Sequence, residues 1–273
     1  MAGNDSKNVF LTGASSGIGL ETTRLLTAHG CEVWGTSRDI SRLPQLPRFH
    51  AVPMDLARLD SLRESFGAAL RQAGAFDVLI NNAGAGAFGP LEAMPAEMVR
   101  EQFQLLVDAP LELIRLALPH MRARGHGTII NVTSLAAQFP IPFMAPYSAA
   151  KAAFSVLTET LRVELKDTPI RVVEIRPGDI RTPFHEQTKR LETAPGTETE
   201  SRSKVVWETQ VRNMAAAPPP VLVAQAMLRA IKSRNPPPVL VVGGFFQARL
   251  APLAARLVPL RVQEYALRRY YRL

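Results

Sequence analysis

Cysteine is almost missing from this sequence. A single thiol, Cys31, in 273 residues closes no internal disulfide, so the fold does not depend on an oxidising compartment. Histidine is sparse as well. His29, His50, His120, His126 and His185 fall at no spacing that holds zinc, and no metal site is expected. Long apolar runs are absent: the best candidate, Phe245 to Leu260, is interrupted by Arg249 and Arg256, which excludes a membrane-spanning helix there. The opening residues, Met-Ala-Gly-Asn-Asp-Ser-Lys, have neither the basic start nor the apolar stretch of a secretory signal, so a soluble cytoplasmic protein is expected. No internal repeat and no long low-complexity segment is found. What is present is a globular composition, 47% hydrophobic and 21% charged, in a chain long enough for one large α/β domain with an ample core.

The formal net charge is +8, and it is unevenly placed. From Arg229 onward there are nine Lys and Arg residues against one acid, Glu264, so that stretch carries the whole excess and the rest is balanced. A protein built to wrap nucleic acid spreads its cations over the main binding surface; nucleic acid is therefore not an expected partner.

Short β-branched runs alternate with helical periodicity. Strands are expected at Asn8–Leu11, Glu32–Thr36, His50–Pro53, Val78–Asn81, Gly127–Thr133, Ile170–Ile175 and Val239–Val242. Helices are expected at Ile18–Ala28, Leu59–Gln72, Ala96–Arg122, Ser148–Lys166 and Val221–Ser233. This alternation predicts a parallel sheet covered on both faces, a doubly wound Rossmann-type α/β domain of seven strands over residues 1–244. Two segments break the pattern. Residues 186–204 are polar around Pro195 and Gly196 and read as a mobile loop beside the substrate. Residues 245–273 alternate apolar residues with arginines and read as two short amphipathic helices added to the same domain.

The first strand runs into Thr12-Gly13-Ala14-Ser15-Ser16-Gly17-Ile18-Gly19 and then a helix. Glycines let a backbone turn sharply and approach a pyrophosphate, and a helix N-terminus offers free N–H groups. Taken alone, the glycines also fit an ordinary strand-to-helix turn. An acid at the end of the second strand would suit the ribose of NAD, and an arginine there suits the 2′-phosphate of NADP. Here Ser37 and Arg38 stand in that place, which favours NADP, although an arginine followed by Asp39 is also compatible with a plain surface turn. Asn81-Asn82-Ala83-Gly84 follows a strand, Ser134 ends another, and Tyr147 and Lys151 lie four apart on one helical face. A Tyr-x-x-x-Lys pair by itself is more often solvated surface than catalyst.

Thr12-Gly-x-x-x-Gly-x-Gly19, Asp55, Asn81-Asn-Ala-Gly84, Ser134, Tyr147-x-x-x-Lys151 and Pro177-Gly178-x-Ile180-x-Thr182 occur in this order. The chain resembles the short-chain dehydrogenase/reductase family, of the NADP-preferring Tyr-x-x-x-Lys type, from about residue 8 to residue 185 and more weakly beyond. The resemblance implies that Gly13, Gly17 and Gly19, with the amide of Ile18, hold the pyrophosphate, and that Ser15, Ser37 and Arg38 meet the 2′-phosphate. Asp55 and Leu56 would flank the adenine, and Asn81, Ala83 and Gly84 the adenosine ribose. Pro177, Gly178, Ile180 and Thr182 would fix the nicotinamide. Tyr147 would be the acid, Lys151 would lower its pKa and hold the nicotinamide ribose, and Ser134 would hold the substrate oxygen. A free phenol has a pKa near 10, and bringing it to about 7 takes roughly 4 kcal/mol. Relatives of this kind are often dimers or tetramers, so a homo-oligomer is implied.

One departure stands out. Many relatives carry an asparagine in the long helix where this chain has Leu106, with Asp108 two residues on but turned elsewhere on the helix. The proton relay behind the lysine, not hydride transfer, is what that departure touches.

Phe139, Pro140, Pro142, Phe143 and Met144, with Ala87, Phe88, Phe184 and His185, are candidates for the substrate wall, and equally for covering the core. An apolar wall favours a steroid-, retinoid- or ketoacyl-like substrate over a sugar. The leading expectation is an NADP(H)-dependent carbonyl reductase or alcohol dehydrogenase. A catalytically weak nucleotide-binding regulator is kept open by Leu106. A protein acting at a membrane surface is kept open by the basic tail, whose other uses are closing the cleft or meeting a partner subunit.

Overall fold

The computed structural model describes residues 6–192, 195–252 and 257–273. The opening residues, two residues of the polar loop (193–194) and four of the tail (253–256, including Arg256) lie outside the described residues. Seven strands make one wholly parallel sheet: β1 (Asn8–Leu11), β2 (Glu32–Ser37), β3 (Phe49–Pro53), β4 (Val78–Asn81), β6 (Gly127–Val132), β7 (Ile170–Pro177) and β9 (Val239–Val242). Their order is β3-β2-β1-β4-β6-β7-β9. A two-residue strand, β5 (Ala87–Phe88), pairs with another, β8 (Lys189–Arg190), outside that sheet.

The central strands are largely apolar because both faces are covered, with Asn81, Thr128 and Asn131 as buried polar exceptions. Val9 and Leu11 point to one face, where Leu26 of α1 (Gly17–Ala28) and Val223, Met227 and Ile231 of α7 (Val221–Lys232) meet them. Phe10 points to the other, against Leu62 and Phe66 of α2 (Leu59–Ala73), Leu113 and Met121 of α4 (Ala109–Arg124) and Phe154 of α5 (Ala145–Glu164). Fully burying side chains of this size contributes about 1.5–3 kcal/mol each. The sheet is therefore held by two separate apolar layers, and its carboxyl edge is left for the loops.

Two helices differ from the sequence expectation. The helix expected over Ala96–Arg122 is α3 (Ala96–Phe103) and α4 joined by a π-helical turn, Gln104–Asp108, which contains Leu106. The polar loop expected over 186–204 gives way at Glu198 to an 18-residue helix, α6 (Glu198–Ala215), whose N-cap Thr197 accepts a hydrogen bond from the Glu200 amide. The tail forms a short helical stretch through Phe246–Leu250 and a last helix, α8 (Leu260–Tyr270).

Candidate active site

The strand order reverses between β1 and β4, the place where an open α/β sheet leaves a crevice at the carboxyl ends of its strands. A cleft of about 1710 Å³ opens there. The turn after β1 forms its first wall. Gly13 has φ +73°, and a Cβ there would lie 2.9 Å from Ala83 Cα. At Gly19 a Cβ would lie 1.9 Å from the carbonyl oxygen of Gly13. Only glycine lets the first turn of α1 seat on the loop before it, with its free amides facing the cleft. Thr12 ties this turn to the loop after β4: its Oγ1 accepts from the amides of Asn82 and Ala83 at 3.0 and 3.1 Å. The Asn82 side chain donates back to Thr12 O at 2.9 Å. Ser15, Gly17, Ile18, Gly84 and the Asp55-Leu56 pair line the same wall.

At the end of β2, Ser37 and Arg38 line the cleft as the sequence argument requires, and Arg42 joins them. No carboxylate within 4 Å pairs with either arginine among the described residues. Asp39 is engaged locally, accepting from the amide and hydroxyl of Ser41 at 3.0 and 2.6 Å. Arg42 was missed in the sequence because it follows three residues of polar turn; only the chain's return places it beside Arg38.

The floor is built by β6, β7 and α5. Ser134 leaves β6, its Oγ accepts from the Ala136 amide at 3.0 Å, and its hydroxyl lies near enough to the Tyr147 phenol to act on its pKa. Lys151 lies one helical turn beyond Tyr147; its Nζ is 6.0 Å from the ring centroid and donates to Val132 O at 2.9 Å. Burial pushes the Tyr147 phenol up to about 12, against the Ser134 hydroxyl, which lowers it. Burial also brings the Lys151 ammonium down to about 8, opposed by the negative charge of Glu174. In this protein alone the phenol is thus pushed above the value of free tyrosine, because burial outweighs the lowering by Ser134. Glu174 is buried, held by Arg176 through two contacts of 2.9 Å and by the Thr133 hydroxyl at 2.6 Å.

Leu106 is buried beside Gly84, 3.3 Å from where a Cβ there would lie. Behind Lys151 a second cavity of about 10 Å³ is lined by Asn81, Leu106 and Val132 among others. Asn81 does not reach the main cleft; its Nδ2 donates to Asn131 Oδ1 at 2.9 Å, and its Oδ1 has no donor among the described residues. The expected relay position is therefore an apolar side chain next to a space about the size of one water molecule.

The far wall is apolar. Phe139, Ile141 and Phe184 line it, and the loop Pro177-Gly178, with Ile180 and Thr182, closes the end near Tyr147. Phe143 and His185 lie behind this lining. Phe143 has φ +62° and packs 5.9 Å from the Phe88 ring. His185 packs 5.1 Å from Trp207, neither ring nitrogen has a hydrogen-bond partner among the described residues, and burial lowers its pKa. The remaining wall comes from the tail: Phe246, Val258, Val262, Tyr265, Leu267 and Tyr271. It is latched to the loop after β7. Asp179 Oδ2 accepts from Tyr270 OH and Gln247 Nε2, both at 2.7 Å, while the Asp179 amide donates to Gln247 Oε1 at 2.9 Å.

The family model for short chain dehydrogenase matches residues 7–193, more than half of the chain. The chain belongs to that family. A curated relative, 3-ketodihydrosphingosine reductase from Bacteroides thetaiotaomicron, is 32% identical over 96% of this chain and 97% of its own. A solved short-chain dehydrogenase from Streptomyces avermitilis superposes with a TM-score of 0.80 at 28% identity, over 98% of this chain and 99% of that one. A 3-ketoacyl-(acyl-carrier-protein) reductase from Brucella melitensis, complexed with NADH, has a TM-score of 0.74 at 25% identity, covering 88% and 97%. A Burkholderia cenocepacia member in complex with NADP has 0.69 at 26%, covering 94% and 99%. This short-chain dehydrogenase is an oxidoreductase of a family that binds nicotinamide cofactors and acts on small carbonyl or alcohol substrates. Among the described residues, no helix is long and apolar enough to cross a membrane.

Proposed function

We propose that this chain uses NADPH to reduce the ketone of a long-chain, lipophilic substrate, with Tyr147 as the acid. The observation that carries the reading is the juxtaposition of Tyr147, Ser134 and Lys151 at the floor of a cleft whose other end is a glycine cradle. The cradle at Gly13 and Gly19 has room for a pyrophosphate and none for a side chain, which is the fit a dinucleotide needs. Bound there, the reduced nicotinamide supplies the hydride. Gly13, Ser15, Gly17, Ile18 and Gly19 take the pyrophosphate; Asp55, Leu56, Ala83 and Gly84 take the adenosine; Asn81 braces the loop from below. Pro177, Gly178, Ile180 and Thr182 fix the carboxamide end. Arg38 and Arg42, with Ser37 and no acid pairing them, favour the extra phosphate of NADPH.

The phenol of Tyr147 gives its proton to the ketone oxygen as the carbonyl carbon is reduced. Burial keeps the phenol protonated in the cofactor-free protein, and giving up the proton requires the phenolate to be stabilised. Ser134 holds the oxygen in line, and the Lys151 ammonium steadies the phenolate left behind. Phe139, Phe184 and the tail residues accept the apolar chain; Phe143 and His185 support that wall from behind. The relative that spans nearly the whole chain is named for a long-chain ketone, which makes 3-ketodihydrosphingosine the first substrate to assay.

The test is reduction of that ketone followed by loss of NADPH absorbance. Tyr147→Phe is expected to lose roughly 10²–10⁴ in rate while keeping its cofactor affinity. A variant that turns over at the parental rate removes Tyr147 from its role. A parent that binds NADPH but reduces no ketone favours the regulator.

A further inference from the structure

We infer that the tail beyond Phe245 is a docking surface for an anionic lipid membrane, setting the mouth of the cleft against the bilayer. The inference goes beyond the proposed activity and does not need turnover to be read. Single exposed apolar side chains are ordinary on soluble proteins; a concentration of them is not. Of the fourteen large hydrophobic residues exposed among the described residues, eight lie in the tail; four of these, Phe245 (75% exposed), Leu250, Leu257 (85%) and Leu260, are outside the cleft lining and face outward. The same stretch lines the substrate side of the cleft from its other side, through Phe246, Val258 and Tyr265. Exposed apolar residues of the tail thus lie next in sequence to ones that line the cleft, Phe245 beside Phe246 and Leu257 beside Val258.

Its charge selects the occupant. Residues 245–273 hold six arginines and one acid, Glu264. Among the described residues, Arg249, Arg261, Arg268, Arg269 and Arg272 are in no ion pair. A second copy of this chain placed on the patch about a two-fold axis would set arginines against arginines, at a cost. A neutral apolar partner leaves the guanidinium groups unanswered. An anionic headgroup layer with acyl chains beneath it meets both features, since arginines take the phosphates and the aromatic and leucine side chains enter the boundary below them.

The experiment is co-sedimentation of the whole protein with phosphatidylcholine vesicles, with and without phosphatidylglycerol. Binding is expected to the anionic vesicles, to weaken with salt, and to be slight on phosphatidylcholine alone. Two variants divide the surface: Arg249→Gln/Arg261→Gln/Arg268→Gln, and Phe245→Ser/Leu250→Ser/Leu257→Ser. All six side chains are exposed and none lines the cleft, so both variants are expected to melt at the parental temperature and to reduce a short water-soluble ketone unchanged. Partitioning should fall by about fivefold per arginine, or about a hundredfold for the first variant, and by about tenfold or more for the second. Absence of binding to anionic vesicles at low salt overturns the inference. So does parental binding by either variant, or a parent that sediments as a dimer while the serine variant is monomeric. A protein that binds vesicles yet reduces no ketone would sink the proposed activity and leave this surface standing.

Discussion

At the scale of single residues, the site is set by burial acting on two ionisable groups in opposite directions. Tyr147 is pushed up and Lys151 down, so both are biased towards their neutral forms. The phenol is neutral throughout the ordinary range, and the ammonium is the group that changes. Below pH about 8 Lys151 carries its charge, which in the proposed function holds the cofactor's ribose; above it that charge is lost. NADPH affinity of the cofactor-free protein is therefore expected to fall as pH rises through about 8, by up to roughly tenfold between pH 7 and 9. Titration calorimetry checks this, and Lys151→Met should flatten the profile; a parent with a flat profile would show that the lysine does not hold the cofactor. Tyr147 and Lys151 were legible in the sequence because an i, i+4 pair must share a helical face. The charge beneath them was not: Glu174 and Arg176 look like alternating polar residues on a half-exposed strand, and only the covering helices bury them.

At the scale of elements, α8 is held to the body chiefly at its end. The Tyr270 hydroxyl gives Asp179 one of its two side-chain donors, 91 residues back along the chain. Tyr270→Phe removes that donor and should weaken the latch by about 1 kcal/mol, since the pair is partly exposed. Faster hydrogen exchange over residues 260–270 and a higher KM for a long substrate, with cofactor affinity unchanged, are expected; unchanged exchange would mean that the apolar contacts of Leu267 and Tyr271 suffice. No periodicity could have revealed this contact, which depends on how far the tail travels. The helix α6 escaped for a different reason. The residues it buries include Ser203, Thr209 and Gln210 beside Val206, so its inner face is polar and leaves no hydrophobic stripe to read. The sheet strands, by contrast, were plain because Val9, Phe10 and Leu11 have apolar layers on both sides. The π turn at Gln104–Asp108 preserves the apolar pattern of the helices it joins, and a pattern does not report a locally wider coil.

For the whole molecule, the cleft joins segments that follow all seven sheet strands, so a dinucleotide lying in it would tie both halves of the sheet together. Ligand that binds only the folded form stabilises it by about 2.7 kcal/mol at a hundredfold excess over Kd. In a chain of this size that corresponds to a melting temperature about 5–10 °C higher. NADPH is expected to raise it more than NADH at equal concentration, as read by calorimetry; equal shifts would remove Arg38 and Arg42 from phosphate recognition. The glycine cradle, Tyr147 and Lys151 could be placed from sequence because each is fixed by neighbours close in the chain. The cleft's apolar side could not, because it is assembled from segments on either side of α7.

The wholly parallel order of the strands also has a bearing on biosynthesis. Neighbouring parallel strands cannot be joined by a tight hairpin, so each pairing waits for a long connection to be made. The loops proposed to hold the nucleotide, through Thr182, are translated before the tail that completes the cleft wall. A growing polypeptide of this kind completes its glycine cradle before the far side of the cleft can close.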